Sequence, residues 1–431
     1  MPEGRRDGFV PRVLAYHASR DLVPLYSVYA LLFADHGVSS AQISLLFIIW
    51  SLTSFVCEVP SGAWADTFDR RRLLVLSAAI YAVGFGSWTV WQSFAGFAFG
   101  FVCWGFSSAL MSGTFESLVY DELVERRVEG RYAELIGWAQ STALVANLTA
   151  TAAAAYLFHV GGYALVGWTS VVIAVGQGAL AATLPVSARA RRVRDRDEGA
   201  DGADGTDGPD GAEGGALAGT ERAASTYVAM LRAGLSESRH HPDVRRVLLL
   251  AATMVGLTAY DEYFPLVARD HGVATSTVPL LIAITVVGQV VGTALVGRTA
   301  RFGGPVVGGV LGAGAVLVSV GALASPYLGF VAIAVGYGML NNAMLVGETR
   351  LQDAITGPAR ATVTSVLGLI EELVALAVYG AFSLGSQVLD FPTLVALLGV
   401  PTVLVAVAVV RWLPDRAQRG LEDSSVGVPE S

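Results

Sequence analysis

The chain contains no lysine; all 28 of its basic residues are arginine. We read this as genomic composition bias, so arginine is informative here by position and not by type. Cysteine is almost absent. Cys57 and Cys103 both lie in apolar runs, which argues against a disulfide framework. Charge of either sign is scarce, at 15% of residues, against roughly 25% in soluble domains. Chemical signatures are missing as well. Without a Walker A loop, the chain is not expected to use ATP directly. Without H-E-x-x-H or G-x-S-x-G in an apolar run, a membrane hydrolase is not supported, and no enzyme activity, cofactor, metal or nucleic-acid partner is expected. No small-residue cleavage site follows a short apolar core, so no cleavable leader is expected.

Apolar sequence fills the space that charge leaves: 53% of residues are hydrophobic. About 20 apolar residues cross a bilayer core of ~30 Å as a helix. By that measure spans fall near 20–34, 41–61, 73–92, 94–118, 133–158, 162–184, 244–268, 276–297, 304–324, 327–347, 361–386 and 391–412. The reading is therefore an all-α integral membrane protein with twelve transmembrane helices, six in each half. Asp21 and Pro24 interrupt the first span. Gly288, Gly292, Gly308, Gly309, Gly312 and Gly314 suit close helix approach.

The halves are related. Asp-His-Gly-Val occurs at 35–38 and again at 270–273, each time between two apolar runs. At the same offset Leu45-Leu46 matches Leu280-Leu281 and Gly62 matches Gly297. A slightly smaller offset relates Glu116 and Asp121 to Glu348 and Asp353. Tandem membrane half-bundles of this kind are the architecture of secondary transporters.

Arginine placement sets the expected orientation. Arg5, Arg6 and Arg12 precede the first span; Arg70–Arg72, Arg126, Arg127 and Arg131 follow even-numbered spans, as do Arg298, Arg301 and Arg350, and Arg411, Arg416 and Arg419 close the chain. The opposite loops carry only Arg269. By the positive-inside rule both termini are cytoplasmic. This gives an N-terminal bundle at 1–186, a cytoplasmic linker at 187–243, a C-terminal bundle at 244–413 and a cytoplasmic tail at 414–431. Much of the net charge of -8 sits in the linker, whose acidic, glycine-rich middle cannot bury enough apolar area to fold. Residues 226–242 suit a short amphipathic helix, with Tyr227, Met230, Leu231 and Leu235 on one side.

The loop after the second span reads Glu58-Val59-Pro60-Ser61-Gly62, then Asp66, Asp69, Arg70, Arg71 and Arg72. It resembles the signature loop of the major facilitator superfamily and the lead-in of its bacterial drug-efflux-like members. The stretch Ser112-Gly113-Thr114-Phe115-Glu116 to Tyr120-Asp121 resembles a motif of a bacterial subgroup in that superfamily. The resemblance covers essentially the whole chain. It implies two pseudo-symmetric six-helix bundles, alternating access, and a small organic solute as partner. Thr67 and Asp69 depart from the motif, where a basic residue and a glycine are usual, and the second-half counterpart Gly297-Arg298 lacks an acid. Gly62, Asp66, Arg70, Arg71 and Glu58, with Glu116, Asp121, Glu348 and Asp353, are the expected gating residues. The arginines are expected to pair with carboxylates, including across the half interface, and Glu116 and Glu348 with cytoplasmic arginines.

Deeper acids are the candidates for proton coupling. Glu371 and Glu372 lie about 11 residues past Arg360, which places them near the midplane. Intramembrane acids are costly and functional by default. Asp261 and Glu262 are expected in the outer third, as a polar rim or an external proton or cation entry point. Tyr26, Tyr29, Trp104, Gln140, Asn147, Gln289, Tyr337, Asn341 and Asn342 are candidate cavity residues, each also capable of an interhelical hydrogen bond. The whole reads as a monomeric, proton-coupled transporter in a bacterial cell membrane, with export of an amphiphile favoured over metabolite uptake or a sensor built on the same fold.

Overall fold

The computed structural model describes residues 8–185, 242–354 and 360–413, and all regular elements among them are helical. The linker with its amphipathic segment to residue 241 and the tail from 414 lie outside the described residues. The chain divides into two compact units, Met1–Val228 and Ala229–Ser431. The first holds α1 (Phe9–Asp21), a 3-10 turn (Pro24–Ser27), α2 (Tyr29–Asp35), α3 (Ser40–Thr67), α4 (Arg70–Val90), α5 (Phe94–Met111), α6 (Thr114–Glu125) and α7 (Tyr132–Ala182). The second holds α8 (Pro242–Leu257), a 3-10 turn (Thr258–Tyr263), α9 (Phe264–Asp270), α10 (Val278–Thr299), α11 (Gly304–Leu323), α12 (Pro326–Ala354), α13 (Arg360–Gly385) and α14 (Phe391–Trp412).

Ten helical stretches among the described residues are long and apolar enough to cross a membrane. In lipid a backbone must satisfy its own hydrogen bonds, which is why such runs become helices. One stretch is a hairpin in disguise. Within α7 the backbone leaves helical geometry at Gly161 and Gly162, and Gly162 takes φ 57°. Leu135, near its start, and Ala181, near its end, share one buried cluster with Phe9, Tyr16, Phe115 and Leu123. A straight helix would hold those two residues roughly 70 Å apart.

Two span boundaries differ from expectation. The helix that leads into the first expected span begins at Phe9 and not at residue 20, and its Phe9, Val13 and Tyr16 are buried. It stops at Asp21 and resumes at Tyr29, because Pro24 has no N–H to continue the ladder. The fourth span ends at Met111; Gly113, at φ 71°, then turns the chain into α6.

The repeated Asp-His-Gly-Val peptide does the same structural task twice. Gly37 and Gly272 adopt φ 79° and 77°, a region where a side chain is strained. The Asp35 carboxylate accepts a 2.6 Å hydrogen bond from Tyr163, at the start of the second limb of α7. The Asp270 carboxylate accepts one of 3.1 Å from the backbone N–H of Phe391, the first residue of α14. Each copy thus ties the first span of its unit to the last. Glycine packing in the second unit is dense: Gly288, Gly292, Gly308 and Gly314 each abut a neighbouring backbone, whereas Gly309 faces open space and Gly312 makes ordinary contact.

Candidate functional site

Both units interrupt their first membrane helix, and polar groups gather at each interruption. In the first unit α1 ends in Arg20-Asp21. Arg20 donates to Ser108 Oγ at 2.7 Å and to Ser107 Oγ at 3.4 Å, both on α5. Its guanidinium also lies over the Tyr81 ring, 4.8 Å from the centroid. The phenols of Tyr26 and Tyr81 hydrogen-bond to each other. Tyr26 stacks on Trp104 at 4.9 Å, and Trp104 meets Trp50 of α3 at 5.0 Å. Tyr29 packs on the same Trp104 edge-on. Trp50 Nε1 and Ser54 Oγ are buried without a hydrogen-bond partner, and so is His17 Nδ1, whose ring stacks on Phe115.

In the second unit the interruption carries an acid. Asp261 accepts a 2.6 Å hydrogen bond from the Tyr337 hydroxyl of α12. Tyr337 is buried among Tyr260 and Phe264. Asp261 therefore meets α12 at Tyr337, away from the ends of that helix. The offset that relates Asp35 to Asp270 also sets Tyr26 opposite Asp261. Gln289 lies beside Tyr337. Asn341 and Asn342 direct their amides to the α10 groups Gln289 O, Thr293 Oγ1 and Gly292 O, so both tie helices together. Gln140 is exposed and Asn147 half-buried on α7, and neither forms a hydrogen bond among the described residues.

Glu371 and Glu372 are half-buried on α13. Glu371 lies within electrostatic reach of Glu348 on α12 as well as of Glu372. The sequence reading gave these acids separate roles; the fold makes them neighbours. Gly256 of α8 packs on the same stretch, where an added Cβ would come within 2.6 Å of Glu371 O. Tyr379 is influenced by both Glu372 and the Asp261/Glu262 pair.

Within the first unit the signature loop is held by an ion pair and a helix cap. Arg70 forms an ion pair with Asp121 inside the first unit. Asp69, in the place where glycine is usual, caps α4 by accepting from the Arg71 backbone N–H at 3.0 Å. Gly62 and Asp66 both belong to α3, and the surroundings of Gly62 and the side chain of Asp66 lie outside what the structure describes. Glu58 is exposed on α3. Glu116 and Glu348 form no arginine pair among the described residues, contrary to expectation, and Glu116 Oε2 is buried without a partner. The nearby cations are engaged elsewhere: Arg126 binds Glu122, and buried Arg350 donates to Ala300 O and Phe302 O at 2.8 and 2.9 Å. That last contact explains how the second unit manages without an acid in its eroded loop: the cation comes from α12 and meets backbone carbonyls. Asp353 is exposed at the end of α12.

Sequence reasoning missed Arg20, Ser108, Tyr81 and Trp50. Placing the first span at residue 20 set Arg20 at its edge. The available signal was an Arg-Asp pair followed by proline within one long apolar segment.

An all-helical, multi-pass fold with charged groups at broken helices is that of a membrane solute transporter, not an enzyme. Residues 15–351 match the family model of the Major Facilitator Superfamily, and the chain belongs to that family. No curated protein sequence matches it. Among solved structures it is similar to a D-xylose-proton symporter, with TM-score 0.64 and 14% identity over 95% of this chain and 97% of that one. It is also similar to the nucleoside transporter NupG, with TM-score 0.65 and 12% identity over 94% and 98% of the two chains. At these identities the likeness is one of fold.

Proposed function

We propose that this protein is a proton-coupled secondary transporter of a small organic solute in a bacterial cytoplasmic membrane. It acts as a monomer of twelve spans with both termini cytoplasmic, and works by alternating access. Protons are taken up by the acids of the second unit, and solute is held by polar and aromatic groups at the broken helices. The observation that carries this reading is the Asp261–Tyr337 hydrogen bond at the interruption between α8 and α9. A carboxylate held so far inside a span is costly, and such groups mark ion and proton paths. Its phenol partner supplies a proton-sharing contact that changes with the charge of the acid. The Glu371–Glu348 neighbourhood supports a route toward it.

Export of an amphiphile is the favoured direction, on the drug-efflux-like lead-in Glu58-Val59-Pro60-Ser61-Gly62. The test is flux in everted vesicles, with neutral, cationic and anionic amphiphiles, a pentose and a nucleoside, each with and without an imposed pH gradient. Accumulation that needs the gradient is the expected result. Accumulation only in right-side-out vesicles would reverse the direction to uptake, and no gradient-dependent flux of any probe would contradict proton coupling.

A further inference from the structure

We propose that the Arg20 cluster of the first unit binds an organic monoanion with a flat apolar body. This names the solute class of the transport reading, and rests on that reading only for the claim that the bound anion is carried.

Arg20 lies at the end of α1, where the helix breaks before α2, and is half-buried there. A buried arginine is costly, so it persists where it is paired or used. Yet among the described residues Arg20 has no carboxylate within ion-pair distance. Asp21 follows it in sequence and forms no such pair. The partners of Arg20 are two neutral hydroxyls, on Ser107 and Ser108, and the face of Tyr81. A guanidinium offers five N–H donors in a planar fork that matches a carboxylate. Two serine hydroxyls leave that fork incompletely used.

The surroundings define the rest of the ligand. Tyr26 and Trp104 stack at 16° between ring planes, and Trp50 extends the aromatic wall. Such walls take flat apolar bodies. Beyond them the buried, unpartnered Trp50 Nε1 is a donor for an acceptor atom at the far end of the ligand. An unpaired buried donor is costly, and a bound acceptor would remove that cost. A cationic solute would meet Arg20 and be repelled. Arg20 is the single cation among these groups and neutralises one negative charge, hence a monoanion.

The test is calorimetric titration of the purified full-length chain in detergent with naphthoate, naphthalenemethanol and naphthylmethylamine, which share a ring system and differ in charge. Naphthoate should bind about tenfold tighter than the alcohol or the amine, the scale of one charge-assisted hydrogen bond. Arg20→Gln should remove that advantage and leave the alcohol unchanged, and Arg20→Lys should keep part of it. Trp104→Ala should weaken naphthoate and alcohol alike. Should Arg20→Gln fail to fold, the wild-type probe series and Arg20→Lys still decide the matter. Equal affinities for the three probes, no binding of naphthoate, or unchanged naphthoate binding in Arg20→Gln would overturn the proposal. Proteoliposome flux separates the two readings. Naphthoate binding without flux would leave the anion site standing and count against transport. Flux of the neutral or cationic probe, insensitive to Arg20→Gln, would do the reverse.

Discussion

The two units share a frame and differ in charge at its centre. Each breaks its first membrane helix, each turns through a left-handed glycine at Asp-His-Gly-Val, and each uses that aspartate to hold its last span. At the break, however, the first unit presents Arg20 among hydroxyls and aromatic rings, while the second presents Asp261 against a phenol. Duplication preserved the backbone devices, which are strict about geometry, and let the intramembrane charges diverge in sign. The same division appears at the loops after the second and eighth spans. Arg70 meets a carboxylate in one, and Arg350 meets carbonyls in the other. A cation and an acid on separate copies of one frame give solute and proton distinct places to bind.

The contrast can be broken experimentally. After loss of Asp261, the largest effect is expected from Glu371→Gln, which removes the titratable group within electrostatic reach of Glu348. Gradient-driven flux should fall about 100-fold, the scale of a lost proton-transfer group, with naphthoate affinity unchanged. A matching loss of affinity would show that solute and proton share one site.

Next comes Gly256→Leu, which would press on Glu371 O and Val374 across the α8–α13 contact. Overpacking of this kind costs about 1–3 kcal/mol and should lower the thermal midpoint in detergent. An unchanged midpoint would mean the two helices do not meet as described.

Gly37→Ala and Gly272→Ala should each cost about 1 kcal/mol. The open space around both positions leaves backbone strain as the sole cause. Unequal losses on detergent-unfolding curves would end the idea that the repeat does one task twice.

The smallest effect concerns Asp390, the exposed cap of α14. Hydrogen bonds from Thr393 hold its carboxyl below the usual range. A depressed folded value means the contribution is present at neutral pH and is lost as pH falls through it. Asp390→Asn should therefore narrow the stability gap between neutral and acid conditions, as read by thermal midpoints across pH. An unaltered pH profile would show the cap to be neutral to charge.

Much of the frame was legible in the residues. Apolar run lengths located most of the helices, because lipid leaves a chain little choice but helix, while the ends at Phe9, Met111 and Ala354 lay well off the expected ones. The paired Asp-His-Gly-Val peptides revealed the duplication. Other features were hidden for physical reasons. The Gly161-Gly162 hairpin appeared only as two adjacent runs, and the break after Asp21 looked like a late start, since a window averages over a short non-helical turn. Arg20 and Tyr81 are 61 residues apart and meet only through packing. Tyr337, Asn341 and Asn342 all read as possible solute contacts; hydrogen bonds to Asp261 and to α10 separate them, and these follow from helix rotation, which composition does not encode.

The measurement that bears most directly on the division of roles is a paired assay of Asp261→Asn in proteoliposomes. Solute counterflow, which needs no net proton movement, would be compared with accumulation driven by an imposed pH gradient. We expect counterflow to persist and gradient-driven accumulation to disappear. Retention of both, or loss of counterflow in a folded protein, would contradict the assignment of the proton to the second unit.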